Sequence, residues 1–180
     1  PVVLSETAKA AVTIDVFPSG NDVVALGYGT ANTAGLNAFG ATGGAVGIRP
    51  DVAGLQIGTT NYSDYQTVSG PDSFGARVVT SATSSTGGAV GISSAYGLIV
   101  PVGYVSGTLI SSSATWANKT LASLGVTPGT YVYTWGSGAT ADSLTINFLT
   151  ASPLVVTTTS DVVNPNDGVV SLREAITYAN

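Results

Sequence analysis

Apolar and polar residues alternate with a period of two through much of the chain. Val12, Ile14 and Val16 fall on one face of an extended segment, with Thr13 and Asp15 opposite, the spacing of a strand with one buried side. Pro18-Ser19-Gly20-Asn21 reads as a turn and Asp22 to Thr30 as the next strand. Ala76 to Ser81 and Gly97 to Val105 are further β-branched or aromatic runs bounded by Gly and Pro. The clearest pair lies at 130–148. Tyr131, Tyr133 and Trp135 share one face, Gly136-Ser137-Gly138 starts the return, and Leu144, Ile146 and Phe148 form an inward row. This pattern predicts an antiparallel hairpin with a long loop. Many short strands joined by Gly-rich turns predict an all-β chain, an antiparallel β-sandwich or jelly roll.

A helical period is clear at the C-terminus alone. Ser171 with Glu174 three residues later has the form of a capping box, and Leu172, Ala175, Ile176 and Ala179 make one apolar stripe. The expected organisation is an extended segment at 1–10, a sandwich over 11–150, and a strand-loop-helix appendage over 151–180. The heptapeptide Thr42-Gly43-Gly44-Ala45-Val46-Gly47-Ile48 recurs as Thr86-Gly87-Gly88-Ala89-Val90-Gly91-Ile92. Two equivalent Gly-rich corners feeding similar strands account for it, or a duplicated binding loop.

Composition narrows the function. Hydrophobic residues make up 44% of the 180 positions and charged residues 8%, against about 25% charged in an ordinary soluble domain. The solvated faces must therefore be built from Ser, Thr, Asn and Gly. Net charge is −5 and no basic cluster occurs, so nucleic acid is not an expected partner. No apolar run reaches membrane-spanning length. Cys and His are absent, which excludes Ser-His-Asp and Cys-His catalysis and zinc sites built on those ligands. Glu occurs only as Glu6 and Glu174, a poor supply for a carboxylate-pair glycosidase. The expectation is a chain with no enzymatic activity.

Three candidate sites remain. Asp161, Asn164, Asn166, Asp167 and Glu174 bring oxygen donors to one loop, the ligand type Ca²⁺ takes, although Val163 and Pro165 fall where an EF-hand would place ligands. An Asx-rich turn before a capped helix explains the same residues. No other cofactor is expected. Tyr131, Tyr133 and Trp135 would stack on sugar rings if exposed and fill the sandwich core if buried. Finally, a β protein with few charges has little with which to block its sheet edges. Val2, Val3 and Leu4, or Leu154, Val155 and Val156, could add as a strand to a neighbouring subunit. The tail at 1–10 is expected to dock on its own sheet or on that neighbour, giving a homo-oligomer or fibre. Ala8-Lys9-Ala10 before Ala11 has the form of a signal-peptidase site. Asn61-Tyr62-Ser63 and Asn118-Lys119-Thr120 match the N-glycan pattern.

Two resemblances add to this reading. The segments Leu98-Ile99-Val100-Pro101-Val102-Gly103-Tyr104-Val105-Ser106-Gly107, Leu121-Ala122-Ser123-Leu124-Gly125-Val126-Thr127-Pro128-Gly129-Thr130-Tyr131 and Trp135-Gly136-Ser137-Gly138-Ala139-Thr140-Ala141-Asp142-Ser143 resemble the ectodomain of bacterial exosortase-sorted (PEP-CTERM) surface proteins. Ala11-Val12-Thr13-Ile14-Asp15 and Gly44-Ala45-Val46-Gly47-Ile48 are similar as well, so the likeness covers about 8–150. It implies export, a cell-surface or matrix location, a β-rich fold and an association with extracellular polysaccharide and biofilm, with no catalytic residues to carry over. The family's Pro-Glu-Pro signal does not occur in these 180 residues. Further on, Asn166-Asp167-Gly168-Val169-Val170-Ser171-Leu172-Arg173-Glu174-Ala175-Ile176 resembles the Cys-Ser-Leu-Arg-Glu-Ala segment that precedes right-handed β-helix repeats in bacterial surface proteins. Val170 stands where that motif has Cys, so thiol chemistry does not carry over. The expectation is a piece of a longer protein, or a segment reused as a cap or docking element. Together these readings predict a secreted bacterial structural protein that assembles with itself, with a carbohydrate-binding module as the alternative and a metal-dependent enzyme third.

Overall fold

The computed structural model describes residues 11–94, 97–153, 156, 158–164 and 169–179. The alternating segment after residue 10 forms β1 (Ala11–Ser19), which turns at Gly20 and Asn21 into β2 (Asp22–Thr30). Then follow β3 (Asn37–Gly43), β4 (Gly47–Arg49), β5 (Gly54–Ile57), β6 (Asn61–Gln66), β7 (Thr80–Ser81) and β8 (Ser84–Gly87). The second half supplies β9 (Val90–Ser93), β10 (Gly97–Pro101), β11 (Leu109–Trp116), β12 (Gly129–Trp135) and β13 (Asp142–Phe148), before helix α1 (Leu172–Ala179). One sheet runs β12-β13-β1-β2-β11-β8, and the other β3-β6-β10-β9-β5-β4-β7. The chain is an all-β sandwich with a short C-terminal helix, as the alternation predicts.

The core lies between the two sheets. Val12, Ile14, Val16, Leu144, Ile146 and Phe148 from the first sheet join Leu55, Ile57, Ile92, Leu98 and Val100 from the second in one buried cluster. The hairpin expected at 130–148 is present, with Tyr131 opposite Ile146 and Tyr133 opposite Leu144. Phe74 closes one end of the core. Its ring centroid lies 5.2 Å from that of Tyr131 and 5.3 Å from that of Phe148, the edge-on and tilted geometry aromatic quadrupoles prefer.

Three expectations change. The sandwich is not purely antiparallel: β1 runs parallel to β13, with Val12 beside Leu144 and Ile14 beside Ile146. The strand expected over 76–81 contracts to β7, because Ala76 N–H donates to Gly125 O and Phe74 O accepts from Thr127 N–H. Those backbone groups are spent on a crossing segment rather than on a sheet. The strand expected over 97–105 stops at Pro101, where Gly103 enters a left-handed turn at φ +71 and Tyr104 N–H closes onto Pro101 O. The tail at 1–10, including Val2, Val3 and Leu4, lies outside the described residues, as do Leu154 and Val155. Val156 is exposed.

Ile14 is fully buried in the middle of the inward row. Ile14→Ala is predicted to cost about 2–5 kcal/mol of unfolding free energy. Thr13→Ala, on the opposite face, is predicted to cost about 1 kcal/mol, the worth of its hydrogen bond with Tyr28. Urea denaturation of both variants checks this, and similar losses at the two positions would contradict the inward row.

Candidate functional site

The expected aromatic platform turns inward. Tyr133 is 0% and Trp135 4% exposed. Their polar tips are taken up by backbone: Tyr133 OH donates to Pro71 O at 3.0 Å, and Trp135 Nε1 donates to Asn32 O at 2.7 Å. Tyr131 is half-buried against the core and donates to Thr127 O at 3.0 Å. These rings fill the sandwich and offer no stacking face.

Of the donors proposed for Ca²⁺, Glu174 caps the helix. Glu174 accepts from Ser171 N–H at 2.8 Å and Asn164 N–H at 2.6 Å, and Ser171 Oγ accepts from Glu174 N–H at 3.3 Å. This is the capping box read from the sequence. The Ser171 and Asn164 amides hold the Glu174 carboxyl below its ordinary range. Asp161 is paired with the Arg173 guanidinium. Asn166 and Asp167 lie outside the described residues. Among the described residues no three His, Cys, Asp or Glu side chains converge.

A different site emerges on the outer face of the seven-stranded sheet. The duplicated heptapeptide supplies β4 and β9, and these flank β5 on its two sides. Ile48 and Ile92 both pair with Leu55, and Gly47 and Gly91 both pair with Gln56. Directly opposed residues share a face. The isoleucines therefore go to the core with Leu55, and the glycines lie beside Gln56 on the outside. Continuing the register across the sheet gives one row: Gly40, Asp64, Ile99, Gly91, Gln56, Gly47, Ser81. Three of the seven lack a side chain, so the row forms a trough. Gly91 is required there for another reason too. Its φ is +153, and a Cβ would sit 1.9 Å from Leu55 O.

Over the middle of this row lies a recess of about 240 Å³, with Gln56, Tyr62, Ser93, Ile99 and Arg49 among its walls. Gln56 is 6% exposed. Its Nε2 donates to Thr59 O at 2.8 Å and Thr60 O at 3.3 Å, which fixes the amide so that Oε1 lies beside Gly44. A Cβ added to Gly44 would meet Gln56 Oε1 at 3.1 Å and the Tyr62 hydroxyl at 3.4 Å. Behind the wall, Ser93 Oγ donates to the buried Asp64 carboxylate at 3.4–3.5 Å and accepts from Gly97 N–H at 3.1 Å. Burial pushes the Asp64 carboxyl above its ordinary value, opposed by the Ser93 hydroxyl and the Tyr65 backbone. Burial and the nearby Asp64 charge together raise the Tyr62 hydroxyl. Arg49 shares Asp51 with Arg77 at the rim, at 3.4 and 3.8 Å.

A second, wider recess of about 640 Å³ lies at one end of the sandwich, between the β1–β2 turn and the segment around Lys119. Its Asp22 carboxylate is already engaged by Asn118 N–H at 2.8 Å. Sequence reasoning missed Gln56, Tyr62, Asp64 and Ser93. The signal that pointed toward them was the repeat, whose two copies bracket Gln56 only once the sheet forms. No family model, curated protein or solved structure matches the chain.

The raised Asp64 carboxyl gives a pH prediction. Between about pH 3.9, the ordinary Asp value, and the raised folded value, the folded chain binds more protons than the unfolded chain. Stability from this site therefore falls as pH rises through that window and is flat above it. Asp64→Asn is predicted to remove this fall, so the variant gains on the wild type from acid to neutral pH. Urea midpoints for both proteins, measured from about pH 4 to 7, test it. A parallel pair of curves would contradict the burial argument.

Proposed function

We propose that the chain is a non-enzymatic structural module of a bacterial surface or extracellular matrix, which assembles by accepting a strand from another copy. The observation carrying this reading is β3. It is the last strand of its sheet, seven residues long, and contains no Lys, Arg, Asp, Glu or Pro. Among the described residues nothing pairs with its outer side. Natural sheet edges are usually blunted by charge, proline, a bulge or a cover. Here only the bulge between Ala38 and Gly40 is used, and Gly40 to Gly43 run in regular register beyond it. Phe39 is 72% exposed at the bulge. The other terminal strands, β7, β8 and β12, are likewise without charge.

The occupant proposed for β3 is the apolar segment Val2-Val3-Leu4 of a neighbouring copy. Repeated head-to-tail, such a contact does not close and builds a fibre. The likeness to exosortase-sorted ectodomains over 8–150 supports an extracellular setting, and the scarcity of charge supports burial of sheet edges against other copies.

Phe39→Lys places a cation on the β3 edge at an exposed position. It is predicted to leave folding stability within about 0.5 kcal/mol and to reduce fibres to monomers. Deletion of residues 1–10 is predicted to do the same. Electron microscopy with light scattering reads both. Monomers only from the wild-type chain, at every concentration tried, would refute the assembly.

A further inference from the structure

We propose that the recess on the outer face of the seven-stranded sheet binds a single pyranose unit of a carbohydrate. This goes beyond assembly: the recess begins at Gly44, where β3 ends, and opens on the face of the sheet, whereas Phe39 lies near the other end of β3. Two polar groups converge on the space above Gly44, and among the described residues neither atom has a hydrogen-bond partner. Gln56 Oε1 belongs to a side chain more than nine-tenths buried, and its amide nitrogen is committed to Thr59 and Thr60. Among the described residues no donor reaches the oxygen. The Tyr62 hydroxyl faces the same space, again with no hydrogen bond to a protein group, and the two are not bonded to each other. Neither atom is sealed from solvent, so both are open to a ligand, and a few placed polar groups of this kind are what orient a small molecule in a pocket. A ligand hydroxyl that donates to Gln56 Oε1, with its neighbour bonded to the Tyr62 hydroxyl, engages both.

The remaining surface selects the class of ligand. The volume, about 240 Å³, lies below the roughly 300–1,000 Å³ of a drug-sized pocket, so one small unit fits rather than a peptide or a dinucleotide. Ile99 and the Tyr62 ring supply apolar wall, and Ser93 a further hydroxyl. A pyranose presents this combination, with hydroxyls around its rim and C–H groups on its faces. Gly44 and Gly47 line the recess without side chains. Arg49 at the rim is already shared with Asp51, so a sugar carboxylate is an addition to the binding and not its basis.

The test is a titration of the folded chain, followed by amide NMR, with methyl glucoside, N-acetylglucosamine and glucuronate as separate probes. The expected result is saturable shifts at Gly44, Gly47 and Ser93 with a dissociation constant of order millimolar. Tyr62→Phe removes a hydroxyl that bonds nothing in the protein. It is expected to keep the wild-type melting temperature and weaken binding about three- to tenfold, the worth of one hydrogen bond. Gly44→Ala puts a methyl between Gln56 and Tyr62 and is expected to abolish binding. Phe39→Lys is expected to bind as the wild type does, which separates this site from assembly. A stronger response to glucuronate supports the site and adds Arg49 to it; a stronger response to the neutral sugars supports it on Gln56 and Tyr62 alone. Absence of saturable shifts with all three probes to about 100 mM, or binding unchanged in both Tyr62→Phe and Gly44→Ala, overturns the proposal.

Discussion

The parallel ladder between β1 and β13 is the constraint on which the first sheet rests. It joins residues more than 130 positions apart, Ala11 beside Ser143 through Val16 beside Phe148. It also sets two inward rows side by side, Val12-Ile14-Val16 and Leu144-Ile146-Phe148, all fully buried. Because β1 is thereby interior, hairpins grow outward from it in both directions, β2 and β11 on one side and β13 with β12 on the other. A parallel pair requires a long excursion of chain between its members. Here that excursion contains the entire second sheet. Closure of the ladder and stacking of the sheets are therefore one event, with a high cost in loop entropy that burial of the core must offset.

The outer faces show how a chain with little charge keeps polar groups in place. On the first sheet Asp15 is fully buried, accepting from Asn147 Nδ2 at 2.7 Å and from Tyr28 OH at 3.2 Å. The Tyr28 hydroxyl is pushed up to about 12 by its own burial and then by the Asp15 charge. At one end of the sandwich Asp142 accepts from Asn32 N–H at 2.6 Å and from Ser143 N–H at 2.7 Å, while Tyr104 OH accepts from Ala31 N–H at 2.9 Å. These carboxylates are held by neutral donors, since so few cations are present. A neutral donor stabilises an ionised carboxylate less than a salt bridge does, and at Asp64 burial raises the carboxyl because the long Ser93 contact and the Tyr65 backbone offset it only in part.

The two features on which the proposals rest adjoin, since Gly44 follows β3 directly and Tyr62 pairs with Thr42 of that strand. The β3 edge offers backbone groups and an uncharged surface, which suits a strand of any sequence with similar character. The recess offers Gln56 Oε1, held in direction by the bonds of its own amide nitrogen, and the Tyr62 hydroxyl beside it, which suits a small ligand with hydroxyls. Neither feature draws on the C-terminal helix, whose capping box and Asp161–Arg173 pair account for the charged residues described there.

The sequence by itself determined the fold class and the inward faces of β1 and β13, because a period of two assigns alternate residues to opposite sides wherever one side is buried. Val12, Ile14, Val16, Leu144, Ile146 and Phe148 could be placed inside on that basis, and Ser171 with Glu174 could be read as a helix cap, since both signals are local. The tertiary structure decided the rest. The aromatic row of Tyr131, Tyr133 and Trp135 reads the same whether it faces sugar or core, and only the presence of the opposite sheet resolved it. The direction of β13 against β1 depends on a connection too long for local pattern to constrain. The recess exists because the two copies of one heptapeptide, 44 residues apart, take up positions on either side of β5; no property of either copy alone puts Gly47 and Gly91 beside Gln56.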